Sequence, residues 1–375
     1  MTPDKPKVLF LDDESSALRS LHRNLRRHFR DWELVFEQCP EDALRQLDTL
    51  SPWVVVSDKR MPRMDGIEFL GHVRQQCPLA VRILLSGETD TDKAVPAVGV
   101  AHLMLPKPFE MEGLIDALHA AQCLRELPIP LHLREQIGCI DSLPVLPAVY
   151  KALVSYLNQT DEPDSERIAE IITQDTAILS KILQLANSAF FGFATPATSA
   201  IDAVVRLGQG MIKNLVLCAG IFRQDSSNNT YEHEQLCRQA EHVAGIMRTL
   251  SQEMKLSRAE ADHHYVLGML HNVGGLISGE TGNSERNAVI SAYLLKLWGF
   301  DSDTVVAVLY QLHPENAHKI KPMTLRLHAS TVINHAHQIG GDPLAADSGL
   351  NQSLLRDAGM LEQVEQYLQA DTANQ

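Results

Sequence analysis

Basic residues, paired cysteines and long apolar runs are what this 375-residue chain has little of. Lys and Arg number 33 against 47 Asp and Glu, and the resulting net charge of −14 excludes a whole-protein footprint on nucleic acid or anionic lipid. The six cysteines, Cys39, Cys77, Cys123, Cys139, Cys218 and Cys237, form no CxxC pair and no zinc-finger spacing, so a reduced, cytosolic thiol set is expected. The N-terminal apolar run is only Val8 to Leu11 before Asp12, Asp13 and Glu14, too short for a signal-peptide core. Elsewhere no uncharged apolar stretch approaches the roughly 18 residues of a membrane span, and a soluble, cytoplasmic protein is expected. What is present is globular: 45% hydrophobic and 21% charged residues, with Pro and Gly spread along the chain, which rules out wholesale disorder. At about 150 residues per domain the length suggests two domains.

In the first 125 residues four short apolar runs each stop at a polar residue: VLFL before Asp12, VVVS before Asp58, ILL before Ser86, and LML before Pro106 and Lys107. Runs of this length read as buried strands of a parallel sheet. Between them lie helical spacings such as Leu18, Leu21, Leu25 and Phe29, and Leu114, Leu118 and Ala121. The alternation predicts a doubly wound α/β fold, whose ligand site lies beyond the carboxyl ends of the strands. The acids, the hydroxyl and the lysine stand at those ends.

Asp12, Asp13 and Asp58 brought together need a cation to stay ionised, and hard oxygen ligands with room for water suit Mg²⁺. In such a cup Asp58 could attack a phosphoryl group in line. Mg²⁺ and the Lys107 ammonium would neutralise the phosphoryl oxygens, with the Ser86 hydroxyl bonded to another. The bland alternative is acids that merely cap helices.

The stretches LFLDDE, SDKRMPRMDG, ILLSG and LPKPF, in this order and spacing, resemble a response-regulator receiver domain over residues 5–125. The resemblance implies a five-stranded (βα)5 sheet and a histidine kinase or phosphotransfer protein that phosphorylates Asp58. It also implies Asp12 and Asp13 as Mg²⁺ ligands, Ser86 as the switch hydroxyl, Lys107 as the phosphate lysine and a cis Lys107–Pro108 bond. Met104 stands where receivers commonly carry a Tyr or Phe that moves with the switch hydroxyl. Arg60 and Glu88 flank the phosphorylation site, and an ion pair between them is expected to lengthen the lifetime of the phosphoaspartate. Arg19, Arg23, Arg26, Arg27 and Arg30, opposite the leucines of the first helix, read as a solvated face.

The run LRELPIPLHL breaks helical periodicity at Pro128 and Pro130 and marks a linker at residues 126–130. Beyond it an all-α bundle is expected over 131–340, followed by a helical tail over 341–375. Ten of the sixteen histidines fall between His233 and His337, which invites a metal-site reading. GMLHNVGGLI resembles the ligand helix of the HD phosphohydrolases, with Asn272 in place of the Asp. The stretches LPVLPAVYKAL, ITQDTAILSKILQLANSAFFGFATPATSAIDAVVRLG, KNLVL and AYLLKLWGF resemble the HDOD domain, a non-catalytic relative of those hydrolases. On that resemblance Gln239, Asn272, Gly275 and Asn287 occupy degenerate HD positions, and only His271 and His313 remain as plausible ligands. Two neutral imidazoles neither complete a coordination sphere nor offset a divalent charge, so no cofactor is expected in this domain. The expected role is that of a signalling scaffold for an unidentified protein partner, with no direct DNA binding and a homodimer left open. The alternatives are an HD-type metal-dependent phosphodiesterase and a cyclic-dinucleotide-binding module.

Overall fold

The structure is a computed structural model that describes residues 5–87, 97, 99–109, 111–126, 130–139, 143–145, 147–159, 163–187, 196–217, 222–224, 230–278, 284–298 and 300–374. Five parallel strands, β1 (Lys7–Leu11), β2 (Glu33–Glu37), β3 (Val54–Asp58), β4 (Val81–Gly87) and β5 (Leu103–Lys107), lie in the order β2-β1-β3-β4-β5. Four of them are the apolar runs read from the sequence. β2 was not among those runs, because as an edge strand it is only half-buried and its sequence ELVFE mixes acids with apolar residues. The helices α1 (Ser15–Leu25), α2 (Pro40–Leu50), α3 (Gly66–Gln76) and α4 (Met111–Glu126) complete the described part of the (βα)5 fold. Leu18, Leu21 and Leu25 are the buried stripe of α1, as their spacing predicts.

Residues 127–129 of the expected linker lie outside the described residues. The second domain is helical, through α5 (Leu131–Cys139), α6 (Pro147–Gln159), α7 (Ser165–Ile172), α8 (Thr176–Ala186), α9 (Ala200–Leu217), α10 (Thr230–Glu253), α11 (Arg258–Leu270), α12 (Gly275–Ser278), α13 (Glu285–Leu297), α14 (Ser302–Leu309) and α15 (Pro322–Ile339). Asp164 and Asp175 start α7 and α8 by accepting bonds from first-turn N–H groups, so each acid supplies acceptors that the helix end would otherwise lack. Every residue of α8 is buried, which makes it the central helix of the bundle. A capping box of Ser257 and Glu260 opens α11 and sets it against α10. One feature departs from a purely helical domain: the three-residue strands β6 (Leu143–Val145) and β7 (Phe222–Gln224) pair in parallel, too short to leave a period in the sequence.

The tail is not an appendage. Leu355 of α16 (Gln352–Asp357), Val364 of α17 (Leu361–Asn374) and Met360 between them are buried in a second apolar cluster with Ile246, Leu250, Leu325 and Ile333 of α10 and α15. The main cluster is continuous across both domains. At their junction Arg82, buried at the start of β4, donates to Gly138 O of α5 at 3.1 Å, and Gln184 Nε2 of α8 lies 3.5 Å from His102 O. No helix among the described residues is long and apolar enough to cross a membrane.

Candidate functional site

The sheet topology places Asp12, Asp58, Ser86 and Lys107 at one edge, because each ends or follows a parallel strand. Lys107 Nζ bridges two buried carboxylates, 2.8 Å from Asp12 Oδ2 and 2.5 Å from Asp58 Oδ1. Burial alone would lower the Lys107 ammonium, but the bonds to Asp12 and Asp58 outweigh it and hold the group above its ordinary value. The remaining carboxylate oxygens meet backbone: Glu14 N donates to Asp12 Oδ1 at 2.9 Å and Arg60 N to Asp58 Oδ2 at 2.7 Å. Ser86 Oγ is buried and has no hydrogen-bond partner among the described residues. Such a hydroxyl costs free energy until an acceptor reaches it. Only glycine fits at position 66, since a Cβ there would sit 2.1 Å from Asp58 O. The Lys107–Pro108 bond is cis. Met104 is buried on β5 beside Leu84 of β4.

Asp13 is exposed, and its carboxylate does not join those of Asp12 and Asp58 in a donor group within 4.8 Å. The Arg60–Glu88 pair cannot be placed, because Glu88 lies outside the described residues; Arg60 itself is exposed. Two buried carboxylates suit Mg²⁺, an ion that keeps several waters and takes one or two protein carboxylates.

In the helical domain the degenerate positions are scattered. His271 is buried with Nδ1 2.6 Å from Gly268 O, and Gln311 donates to the His271 carbonyl. Asn272 Nδ2 donates to Leu236 O at 3.2 Å, Gly275 N to Asn272 O at 2.8 Å, and Asn287 Oδ1 accepts from Ser278 Oγ at 2.6 Å. Gln239 is half-buried on α10. His313 stands exposed between Glu285 and Glu315 at 3.1 and 3.2 Å. None of these enters a group of three His, Cys, Asp or Glu donors close enough to share an ion; among the described residues the one such group is Asp175, His233 and Cys237. That group was invisible in the sequence, except that His233 and Cys237 stand one helical turn apart.

A family model of the response regulator receiver domain matches residues 8–119, and one of the HDOD domain matches residues 143–293. The chain is a response regulator with an HDOD domain. The hydrogenase transcriptional regulatory protein HoxA of Cupriavidus necator is 34% identical over 149 residues, which are 39% of this chain and 30% of that protein. The transcriptional regulatory protein KdpE of Mycobacterium tuberculosis is 36% identical over 115 residues, 30% of this chain and 50% of that protein. The chain thus spans half or less of the length of these relatives. Among solved structures, the signal receiver domain of an HD domain-containing protein from Pseudomonas fluorescens Pf-5 is 28% identical, with a TM-score of 0.31 over 34% of this chain and 96% of that one.

The HDOD domain should lose stability in acid. Burial pushes His271 down to about 4. His264, buried with Nδ1 2.7 Å from Ser251 Oγ, is pushed down to about 3 by burial, then by Arg326 and His263. Both are neutral in the folded protein at neutral pH, whereas in the unfolded chain they charge below about 6.5. The unfolded state therefore binds more protons below that pH. The contribution to stability is whole above it and is lost as pH falls toward 4. At about pH 5 each histidine should cost about 2 kcal/mol relative to neutral pH. Urea unfolding of His271→Gln should show an acid loss smaller by that amount; an unchanged loss would mean that His271 is not held neutral.

Proposed function

We propose that this chain is a two-component response regulator in which a histidine kinase or phosphotransfer protein phosphorylates Asp58, and the aspartyl phosphate alters how a non-catalytic HDOD domain engages a protein partner. The observation that carries the reading is the Lys107 ammonium held between Asp12 and Asp58 at the strand ends, beside the unsatisfied Ser86 hydroxyl. A carboxylate oxygen of Asp58 attacks phosphorus in line as the donor's P–N bond breaks, leaving an acyl phosphate. Lys107 then pairs with the phosphoryl oxygens and Ser86 finds the acceptor it lacks. Mg²⁺, held by Asp12 and Asp58 and with Asp13 next in the chain, would supply further charge neutralisation. The reaction belongs in the cytoplasm, where phosphorylated kinases present the donor.

Transmission to the HDOD domain has a short path. β4 runs from Arg82, bonded to α5, to Ser86 at the acid site, so one strand links the domain junction to the switch hydroxyl. The helix α4 leading to the Pro128–Pro130 segment offers a second route, through contacts with α13. Non-catalytic action is supported by the HD positions: His271 is bonded to backbone, His313 is at the surface, and Asn272 and Asn287 replace charged or imidazole ligands.

Hydrogen exchange on the intact protein with Mg²⁺, with and without beryllofluoride, tests this, with Asp58→Ala as control. Protection should rise around Asp58, Ser86 and Lys107 and change in the HDOD domain, with neither effect in the control. No change around Asp58 would overturn the phosphoacceptor site, and a change that stops at residue 126 would overturn switching of the HDOD domain.

A further inference from the structure

We propose that Asp175, His233 and Cys237 form a binding site for a zinc-class divalent ion inside the HDOD domain. This goes beyond the signalling role above and replaces the expectation of a domain without a cofactor. The three side chains come from two elements. Asp175 is the N-cap of α8, and His233 and Cys237 stand four residues apart on one face of α10. Their ligand atoms all lie within 4.8 Å of one another, and all three residues are buried.

The separations suit an ion better than direct bonds. His233 Nε2 is 3.8 Å from Asp175 Oδ2, too long for a hydrogen bond. Donors about 2.1 Å from a tetrahedral ion stand about 3.4 Å apart, so a small inward movement closes the site. Asp175 can do this without giving up its cap. Its Oδ1 accepts from Ala177 N and Ile178 N at 2.8 and 3.1 Å, while Oδ2 is the oxygen that faces His233. Cys237 Sγ accepts a weak bond from Thr176 Oγ1 at 3.8 Å.

Donor chemistry selects the metal. Thiolate, imidazole and carboxylate together are the mixed set that zinc takes, whereas Mg²⁺ and Ca²⁺ require oxygen. Charge also balances, since one thiolate and one carboxylate neutralise a dication, and a buried site tolerates no net charge cheaply. Without metal, burial and then the Asp175 charge push the Cys237 thiol up to about 12, so it carries its proton. Binding forms the metal–sulfur bond and releases that proton to solvent. The fourth position is left to water or to a neighbouring group. An ion here would fix the start of α8, the helix whose Gln184 reaches the receiver at His102.

The test is a titration of the metal-free full-length protein with Co²⁺, followed by its visible and near-ultraviolet spectrum. The expected result is one equivalent that gives tetrahedral ligand-field bands and a thiolate-to-cobalt charge-transfer band, both displaced by Zn²⁺. Cys237→Ser should lose the charge-transfer band, and Zn²⁺ should raise the melting temperature of the wild type but not of Cys237→Ala. Cys39→Ser and Asp58→Asn should keep the band, which separates this site from the Cys39 thiol and from the receiver acids. Absence of the band in the folded wild type, or its survival in Cys237→Ser, would overturn the proposal. Should Cys237→Ser fail to fold, His233→Gln reads the same site: it should shift the ligand-field bands and weaken binding, and an unchanged spectrum would again overturn it.

Discussion

Asp58→Asn should take up no phosphoryl group from acetyl phosphate and Mg²⁺, whereas the wild-type chain should gain a single hydroxylamine-labile phosphate. The amide keeps the size of the side chain and an acceptor for Arg60 N, which is 2.7 Å from Asp58 Oδ2, so the fold has no reason to change. What it loses is the nucleophile, and no neighbour can replace it. Asp12 points its oxygens at Lys107 and at Glu14 N, and Asp13 is exposed. Lys107→Met should instead leave the acceptor in place and slow uptake by about a hundredfold or more, the usual cost of removing one stabilising group from a developing charge.

The same substitution has a second, less obvious outcome. With no Mg²⁺ present, one ammonium faces two buried carboxylates, a net negative charge in a site largely closed to water. Asp58→Asn leaves Lys107 and Asp12 as a neutral pair and should raise the unfolding free energy by about 1 kcal/mol in chelator. Adding Mg²⁺ should then stabilise the wild type and leave the variant almost unmoved. A variant that still forms hydroxylamine-labile phosphate would place the acceptor elsewhere. A loss of stability in chelator would mean that the Lys107–Asp58 bond outweighs the repulsion.

The acid site was legible because parallel sheets do the gathering: once VVVS, ILL and LML are read as strands, Asp58, Ser86 and Lys107 must emerge at one edge. Direction of a side chain is another matter. Asp12 and Asp13 are neighbours in sequence, yet one is buried against Lys107 and the other is exposed, and only the packed structure decides which. β2 escaped because burial on one edge gives no continuous apolar run. The donors Asp175, His233 and Cys237 escaped because helix packing, not spacing, brings α8 to α10. The tail was expected to be helical, but its packing of Leu355 and Val364 against α10 and α15 was not legible. Arg82 left a signal that went unread: a charge inside the strand-like VRILLSG is tolerable only if its donors are satisfied.

That residue gives the other large effect expected. Arg82→Met should lower the unfolding free energy by about 3 kcal/mol and loosen the docking of α5 on the receiver. Methionine replaces the stem of the side chain but none of its donors. Arg82 Nε lies 2.6 Å from Val100 O, Nη1 3.4 Å from Ala80 O and Nη2 3.1 Å from Gly138 O. Water cannot readily take over, because α5 comes so near that a Cβ on Gly138 would sit 1.8 Å from Pro78 O. One term opposes the loss. Burial and then Arg82 push Lys181 down to about 8, and the same two causes, with Lys181, hold His102 well below its ordinary value. Removing the guanidinium relieves that repulsion in part, but the stranded carbonyls cost more. Gly138→Ala should open the same junction by steric contact alone, with Arg82 intact. Urea unfolding and hydrogen exchange across residues 78–82 and 131–139 read both variants, and wild-type protection in both would mean that the two domains do not dock through this contact in solution.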